Sequence, residues 1–171
     1  GLTASVKFTI KKQEVTVPSA PSSEVYTGET LTADIETSEL YTIVNDGGVN
    51  AGKYNVVLSL KDNANYKWST GEEETTTLIF EITKSNANKW ITTPSISGWT
   101  YGEAKAEPSY ESRYGDVNVT YQGADGTAYE SSEKPTNAGT YKAIFTVEES
   151  TNHNGLTASV KFTIKKQEVT V

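Results

Sequence analysis

Apolar and polar residues alternate along several short stretches of the chain. In Lys53–Leu60, Tyr54, Val56, Leu58 and Leu60 fall on one side, and Lys53, Asn55 and Ser59 on the other. Tyr141, Ala143, Phe145 and Val147 share a side within Thr140–Val147, as do Val160, Phe162 and Ile164 within Ser159–Lys165. Leu78, Phe80 and Ile82 repeat the pattern. Successive side chains of a strand point to opposite faces, so each stretch predicts a strand with one buried and one wet face. No segment carries a capped apolar stripe of helical period. Thr30–Glu39 comes nearest, and its Thr and Ile content favours a strand. Asp125-Gly126 lies between Val117–Tyr121 and Thr127–Tyr129 and predicts a hairpin. Asn154-Gly155 introduces the last strand, and Asp46-Gly47-Gly48 interrupts the chain at the matching earlier place. Short strands with a turn signal every ~8–12 residues suggest a sandwich.

The same words recur at two scales. Gly1–Val17 is repeated without a mismatch as Gly155–Val171, a spacing of 154 residues, as in a window cut from a longer array. Within that period, VTVPSAPSSEVYTGE (Val15–Glu29) parallels WITTPSISGWTYGE (Trp90–Glu103). VNAGKYNVVLSL (Val49–Leu60) parallels TNAGTYKAIFTV (Thr136–Val147), and TTTLIFEITKSNANKW (Thr75–Trp90) parallels LTASVKFTIKKQEVTV (Leu156–Val171). Three blocks in one order imply two related modules, since internal repeats signal arrays of stacked units. The expected division is 13–84 for the first module and 85–166 for the second. Residues 1–12 are then the last strand of a preceding module, and 167–171 the start of a following one.

The most specific local signal is Asn50-Ala51-Gly52-Lys53-Tyr54, which recurs as Asn137-Ala138-Gly139-Thr140-Tyr141. It resembles the tyrosine corner of immunoglobulin-like domains, with Val56 or Ala143 where antibodies place Cys. Gly52 and Gly139 would let the chain turn tightly. Tyr54 and Tyr141 would bury their rings and send their hydroxyls to backbone groups otherwise unpaired. These four residues are the structural candidates. Trp99-Thr100-Tyr101-Gly102-Glu103, Pro135–Tyr141 and Lys161-Phe162-Thr163-Ile164 together resemble bacterial immunoglobulin-like repeats of Gram-positive cell-wall-anchored surface proteins. The first module is similar to a sister type through Tyr26-Thr27-Gly28-Glu29, Asn63–Trp68 and Phe80–Lys84. The resemblance covers nearly the whole chain. It implies an all-β chain of two small immunoglobulin-like sandwiches, with a β-grasp arrangement as the alternative, and a stalk or adhesin role outside the cell.

Composition narrows the chemistry. A formal net charge of −7 argues against a nucleic-acid partner, which needs clustered Lys and Arg. No basic amphipathic stretch suggests membrane contact. Cys and Met are both absent. Disulfides, redox chemistry and thiolate metal sites are thereby excluded, and an internal or processed fragment without signal peptide or anchor is expected. His153, the one histidine, sits beside Asn154-Gly155 and reads as a solvated loop residue. Asp62-Asn63-Ala64-Asn65 offers oxygen ligands without the acidic spacing of an EF-hand, and reads as a turn. Glu72-Glu73-Glu74 reads as a solvated loop. No nucleophile and base pair emerges, so no enzyme, cofactor or metal is expected. Lys53, Lys142, Lys161 and Lys165 fall on wet faces, which removes the buried lysine that an isopeptide cross-link would need.

Trp68, Trp90 and Trp99 could stack on sugars or pack at junctions, and Trp90 and Trp99 are the candidate ligand-binding pair. The main expectation is mechanical. Phe80–Lys84 runs through Ser85–Asn88 into Lys89-Trp90-Ile91 with almost no linker. A semi-rigid stalk that projects a distal binding domain is therefore expected, its partners being adjacent modules of the same chain. The alternative is weak, multivalent binding of glycan or protein by the modules themselves. Residues 1–12 carry Val6, Phe8 and Ile10 on one face, and such an edge strand should find a partner, by strand exchange between copies.

Overall fold

The computed structural model describes residues 1–45 and 47–170. Asp46, part of the expected interruption at 46–48, lies outside the described residues. The chain is all-β and divides into two units, Gly1–Thr83 and Lys84–Val171.

In the first unit the strands are β1 (Gln13–Val15), β2 (Glu24–Val25), β3 (Tyr41–Asn45), β4 (Gly52–Leu60), β5 (Tyr66–Trp68) and β6 (Thr75–Thr83). β4 and β6 are the long central pair of a sheet ordered β2-β6-β4-β3, in which β2 joins β6 in parallel. The alternation in Lys53–Leu60 has its physical outcome here. Val56 and Leu58 are fully buried, and Phe80 and Ile82 of β6 meet them in the core. Burial of each such side chain contributes about 1.5–3 kcal/mol. β1 and β5 form a second, two-stranded parallel layer whose register sets Val15 beside Trp68. Both side chains enter the same core, which makes the unit a small two-layer β-sandwich.

Thr30–Glu39 does not form the expected strand. Only Leu31 bridges, to Gly48, while Ala33 and Ile35 are buried with Asp34 and Glu36 exposed. The segment is extended and inward-facing, but a side chain supplies its backbone partner. The Asn45 amide donates to the Ala33 carbonyl and its Oδ1 accepts from the Ala33 N–H at 3.1 Å. The backbone polar groups of Ala33 are satisfied without a ladder, so alternation survives where strand pairing does not.

In the second unit the strands are β7 (Trp90–Ser95), β8 (Trp99–Thr100), β9 (Ser109–Ser112), β10 (Val117–Ala124), β11 (Glu130–Ser131), β12 (Gly139–Val147) and β13 (Leu156–Lys165). The main sheet runs β11-β10-β12-β13-β8, with β8 parallel to β13, and β7 pairs antiparallel with β9 as the second layer. Its core joins Ile96, Trp99, Tyr121, Tyr141, Ala143, Phe145, Phe162 and Ile164. The Asp125-Gly126 hairpin is a tight turn with both residues at positive φ, 51° and 86°, closed by the Thr127 N–H donating to the Ala124 carbonyl at 3.0 Å. Asp and Gly suit it because they enter the left-handed region at low cost. The returning strand begins at Glu130 rather than at Thr127–Tyr129, because the chain first closes an irregular loop through the Gly123 N–H and the Tyr129 carbonyl.

Residues 1–12 carry no strand. Leu2, Val6, Phe8 and Ile10 are 80–106% exposed. The expected closing strand is absent from this segment because no neighbouring strand is offered to it within the described unit. The same residues form a strand at β13, where β12 lies alongside.

Candidate functional site

Both tyrosine motifs close the same small ring. The Tyr54 hydroxyl donates to the Asn50 carbonyl at 2.6 Å, and the Tyr141 hydroxyl donates to the Asn137 carbonyl at 2.8 Å. Each ties the entry of a central strand, β4 or β12, to the loop before it. Tyr141 is 2% exposed and packs on Tyr129 and Phe162, with ring centroids 5.6 and 5.8 Å away. The expectation for the glycines needs correction in its mechanism. Neither Gly52 nor Gly139 takes a left-handed φ. Gly139 instead provides room, since a Cβ there would lie 3.0 Å from Thr127 Oγ1 and 3.2 Å from the Tyr141 hydroxyl. Gly52 has no such close neighbour. The glycine that accommodates Tyr54 is Gly48, where a Cβ would fall 2.3 Å from the ring.

Burial holds the Tyr141 phenol above its ordinary range, with Tyr129 adding to the effect, and burial and then Glu107 do the same for Tyr121. A phenol whose folded pKa is raised binds its proton longer than the unfolded chain does. Its contribution is complete below the unfolded pKa of about 10 and is lost as pH climbs through the folded value. Tyr141→Phe should therefore cost about 1 kcal/mol at neutral pH, the worth of one hydrogen bond. It should also weaken the decline in stability above pH ~10. Denaturant unfolding of both chains at neutral and alkaline pH checks the two effects together.

The segment between β6 and β7 is fixed inside the second unit. Lys84 Nζ pairs with Glu149 at 2.9 Å. The Ser85 N–H donates to the Asn152 carbonyl at 2.8 Å, and the Asn154 N–H donates to the Ser85 carbonyl at 3.0 Å. Asn88 is 8% exposed. Its amide donates to the Tyr114 and Asn154 carbonyls, while its Oδ1 accepts from the Tyr114 N–H at 3.1 Å. The Lys89 carbonyl accepts from the Arg113 N–H at 2.9 Å. His153 is not the free loop residue expected. It is half-buried, bridges Ser85 and stacks on Tyr114 at 3.9 Å. Nothing in a polar run such as Ser85-Asn86-Ala87-Asn88 distinguishes the buried Asn88 from its exposed neighbour Asn86, so the sequence alone missed this anchor.

The tryptophans do not form a sugar-stacking surface. Trp68 is fully buried in the core of the first unit. Trp99 is 8% exposed, and its ring stacks on Phe162 with centroids 5.3 Å apart. Trp90 is half-buried and packs against the same core. The candidate pair Trp90 and Trp99 is thus corrected to structural packing, because the apolar rings lower the free energy more inside the core than in water. The Asp62 loop is closed on itself. Its carboxylate accepts from the Ala64 and Asn65 N–H groups and from the Asn65 amide at 2.8 Å. The Asn65 side chain is the main reason that carboxyl is held below its usual range. Within Glu72–Glu74 the backbone has structural work. The Glu72 carbonyl accepts from the Trp68 N–H, and the Glu74 carbonyl from Leu60 N–H and the Trp68 indole.

Among the described residues no helix is long and apolar enough to cross a membrane. No family model matches the chain, and no curated protein matches it. Among solved structures, the chain is similar to extracellular domains 3–5 of Drosophila OTK at 7% identity and a TM-score of 0.35, over 88% of this chain. It spans 60% of that structure's length, and a likeness of this extent carries no argument about fold or function.

Proposed function

We propose that the chain is a spacer segment of a bacterial cell-surface adhesin, anchored in the cell wall, whose repeated sandwiches hold a distal binding domain away from the cell. The observation that supports this reading most is the absence of slack at the connection. Thr83 still belongs to the β6 ladder, where its carbonyl accepts from the Tyr26 N–H at 2.9 Å. Lys84, the next residue, is already ion-paired to Glu149 in the second unit. A flexible Gly/Ser linker would absorb length by coiling, whereas residues bonded on both sides of one peptide bond cannot. An acidic exterior, at net charge −7, keeps such a chain soluble and separated from like neighbours.

The test is a display experiment. A fluorescent reporter is placed beyond zero, one, two or three copies of residues 13–166 on a bacterial surface, and its height above the wall is measured. Strands rising ~3.3 Å per residue set an increment on the order of a few nanometres per unit. A constant increment per copy is expected. Height that does not grow with copy number would remove the spacer reading.

A further inference from the structure

The two units close the same edge in different ways. In the second unit β7 pairs directly with β9, the segment that leads into β10. Thr92 lies opposite Glu111 there, and its hydroxyl donates to the Glu111 carboxylate at 3.3 Å. The first unit has both counterparts. Residues 15–22 match the β7 region in sequence, and residues 32–36 lead into β3 as β9 leads into β10. Among the described residues no ladder joins them. A groove of about 360 Å³ runs between them instead. Residues 18–22 and Glu24 form one wall, Thr32, Asp34 and Glu36 the other, with Phe80 beneath. A second hollow of about 340 Å³ shares Pro18, Ser19 and Glu36 and continues the groove toward Val15.

Both walls carry unpaired backbone. The N–H and C=O groups of Leu31 are taken up by Gly48, and those of Ala33 by the Asn45 side chain. Successive backbone groups of an extended chain face opposite edges, so those of Thr32 and Asp34 face the groove. Among the described residues they bond to no protein group, and neither does the backbone of residues 16–22. Pro18 and Pro21 carry no N–H, so that wall cannot donate to residues 32–36 at those positions. The rim is charged with one sign. Glu24, Asp34 and Glu36 are exposed, and none forms an ion pair among the described residues. They are spread along the groove rather than gathered on one point, which suits separate cations in a row.

We infer that this groove takes an extended segment of a partner protein, with lysine or arginine at alternate positions and small apolar residues between them. The segment adds as a strand to the edge at Thr32 and Asp34. Ala33 and Ile35 turn into the core, so Asp34 and Glu36 share the outer side of their own segment. The cations of the added strand stand opposite these two, at the ~5 Å that separates paired residues. Its apolar side chains turn the other way, toward Phe80 and Ala20. Strand addition draws affinity from main-chain bonds and specificity from alternate side chains, and a free edge with an acidic rim provides for both. The second unit offers no such edge, because β7 and β9 are already paired. This inference does not depend on the spacer reading.

The test uses the full chain and an end-blocked peptide of alternating lysine and valine, about six residues or ~20 Å long when extended. The peptide is titrated to ~1 mM at low salt, where exposed charges are screened least. Amide resonances of Thr32, Asp34 and residues 16–22 should shift, and those of β7 and β9 should not. Hydrogen exchange at the Thr32 and Asp34 amides should slow in the bound state. The same peptide with methylated backbone nitrogens keeps its charge and loses its donors, and it should bind at least ~10-fold more weakly. Asp34→Asn/Glu36→Gln should weaken the unmethylated peptide about tenfold, as expected for two rim ion pairs. No shift by ~1 mM, equal binding of the methylated peptide, equal binding by the double variant, or shifts spread over the acidic surface of both units would each overturn the inference. The methylated-peptide comparison is made on the unaltered protein and stands whether or not the double variant folds.

Discussion

Trp68→Ala should remove about 3–5 kcal/mol from the first unit, the usual cost of truncating a buried large aromatic. That is a large part of the ~5–15 kcal/mol that holds a domain folded. The side chain is fully buried, faces Val15 across the β1–β5 pair and leans on Tyr41 with ring centroids 5.4 Å apart. The lost hydrogen bond is the smaller part. The indole reaches the Glu74 carbonyl at only 3.3 Å, and that oxygen keeps the Leu60 N–H at 2.9 Å. The void is the larger part, because it opens between the two layers that the ring joins. Trp90→Ala, at a half-buried position, should cost roughly half as much, since less area leaves water there. Urea unfolding followed by circular dichroism distinguishes the two. Equal costs would mean that Trp68 does not bridge the layers as described.

Asn88→Leu should destabilise the second unit by about 3 kcal/mol although it adds apolar surface. Leucine cannot replace the amide, and it takes their Asn88 partner from the Tyr114 N–H and the Asn154 carbonyl, while the Tyr114 carbonyl keeps only the Ser112 hydroxyl at 3.3 Å. An orphaned buried polar group costs ~1–3 kcal/mol, which exceeds the gain from one additional side chain at a position already 8% exposed. Asn86→Ala is the control. Asn86 is exposed, and although its Oδ1 accepts from the Asn154 amide, a solvent-exposed hydrogen bond is replaced by water, so its change should stay within ~1 kcal/mol. Hydrogen exchange at Ser85 and Tyr114 should accelerate in Asn88→Leu and not in Asn86→Ala. Unchanged exchange would show that the connection is held by other contacts.

Much of the fold was legible because strand alternation reports burial directly. Tyr54 to Leu60 and Tyr141 to Val147 turned the faces that their patterns required. The paired tyrosine motifs could be read down to their backbone hydrogen bonds, since a phenol packed at a strand entry finds its acceptor in the preceding loop, although only Tyr141 is fully buried and Tyr54 is half-buried. Reading failed where a side chain did the work of a strand or where burial was decided by a distant loop. Asn45 satisfying Ala33 made Thr30–Glu39 extended without a ladder, and the stack of His153 on Tyr114 joins residues that lie far apart in the chain. Trp99 had the composition of a binding residue and the position of a core residue. Only the pairing of β8 with β13 brings it against Phe162.

The sequence by itself determined the all-β class, the two related units, the inward faces of the long strands and the tyrosine closures, because these follow from local period and from residues near one another. Tertiary structure alone decided what the duplicated ends become. Gln13–Val15 pairs with β5 and buries Val15 to 6% exposure, while the same residues at Gln167–Val169 stay unpaired with Val169 at 89%. Leu2–Lys11 and Leu156–Lys165 diverge in the opposite sense. A strand satisfies its backbone only through a neighbour, and identical residues therefore take the structure that their neighbours permit.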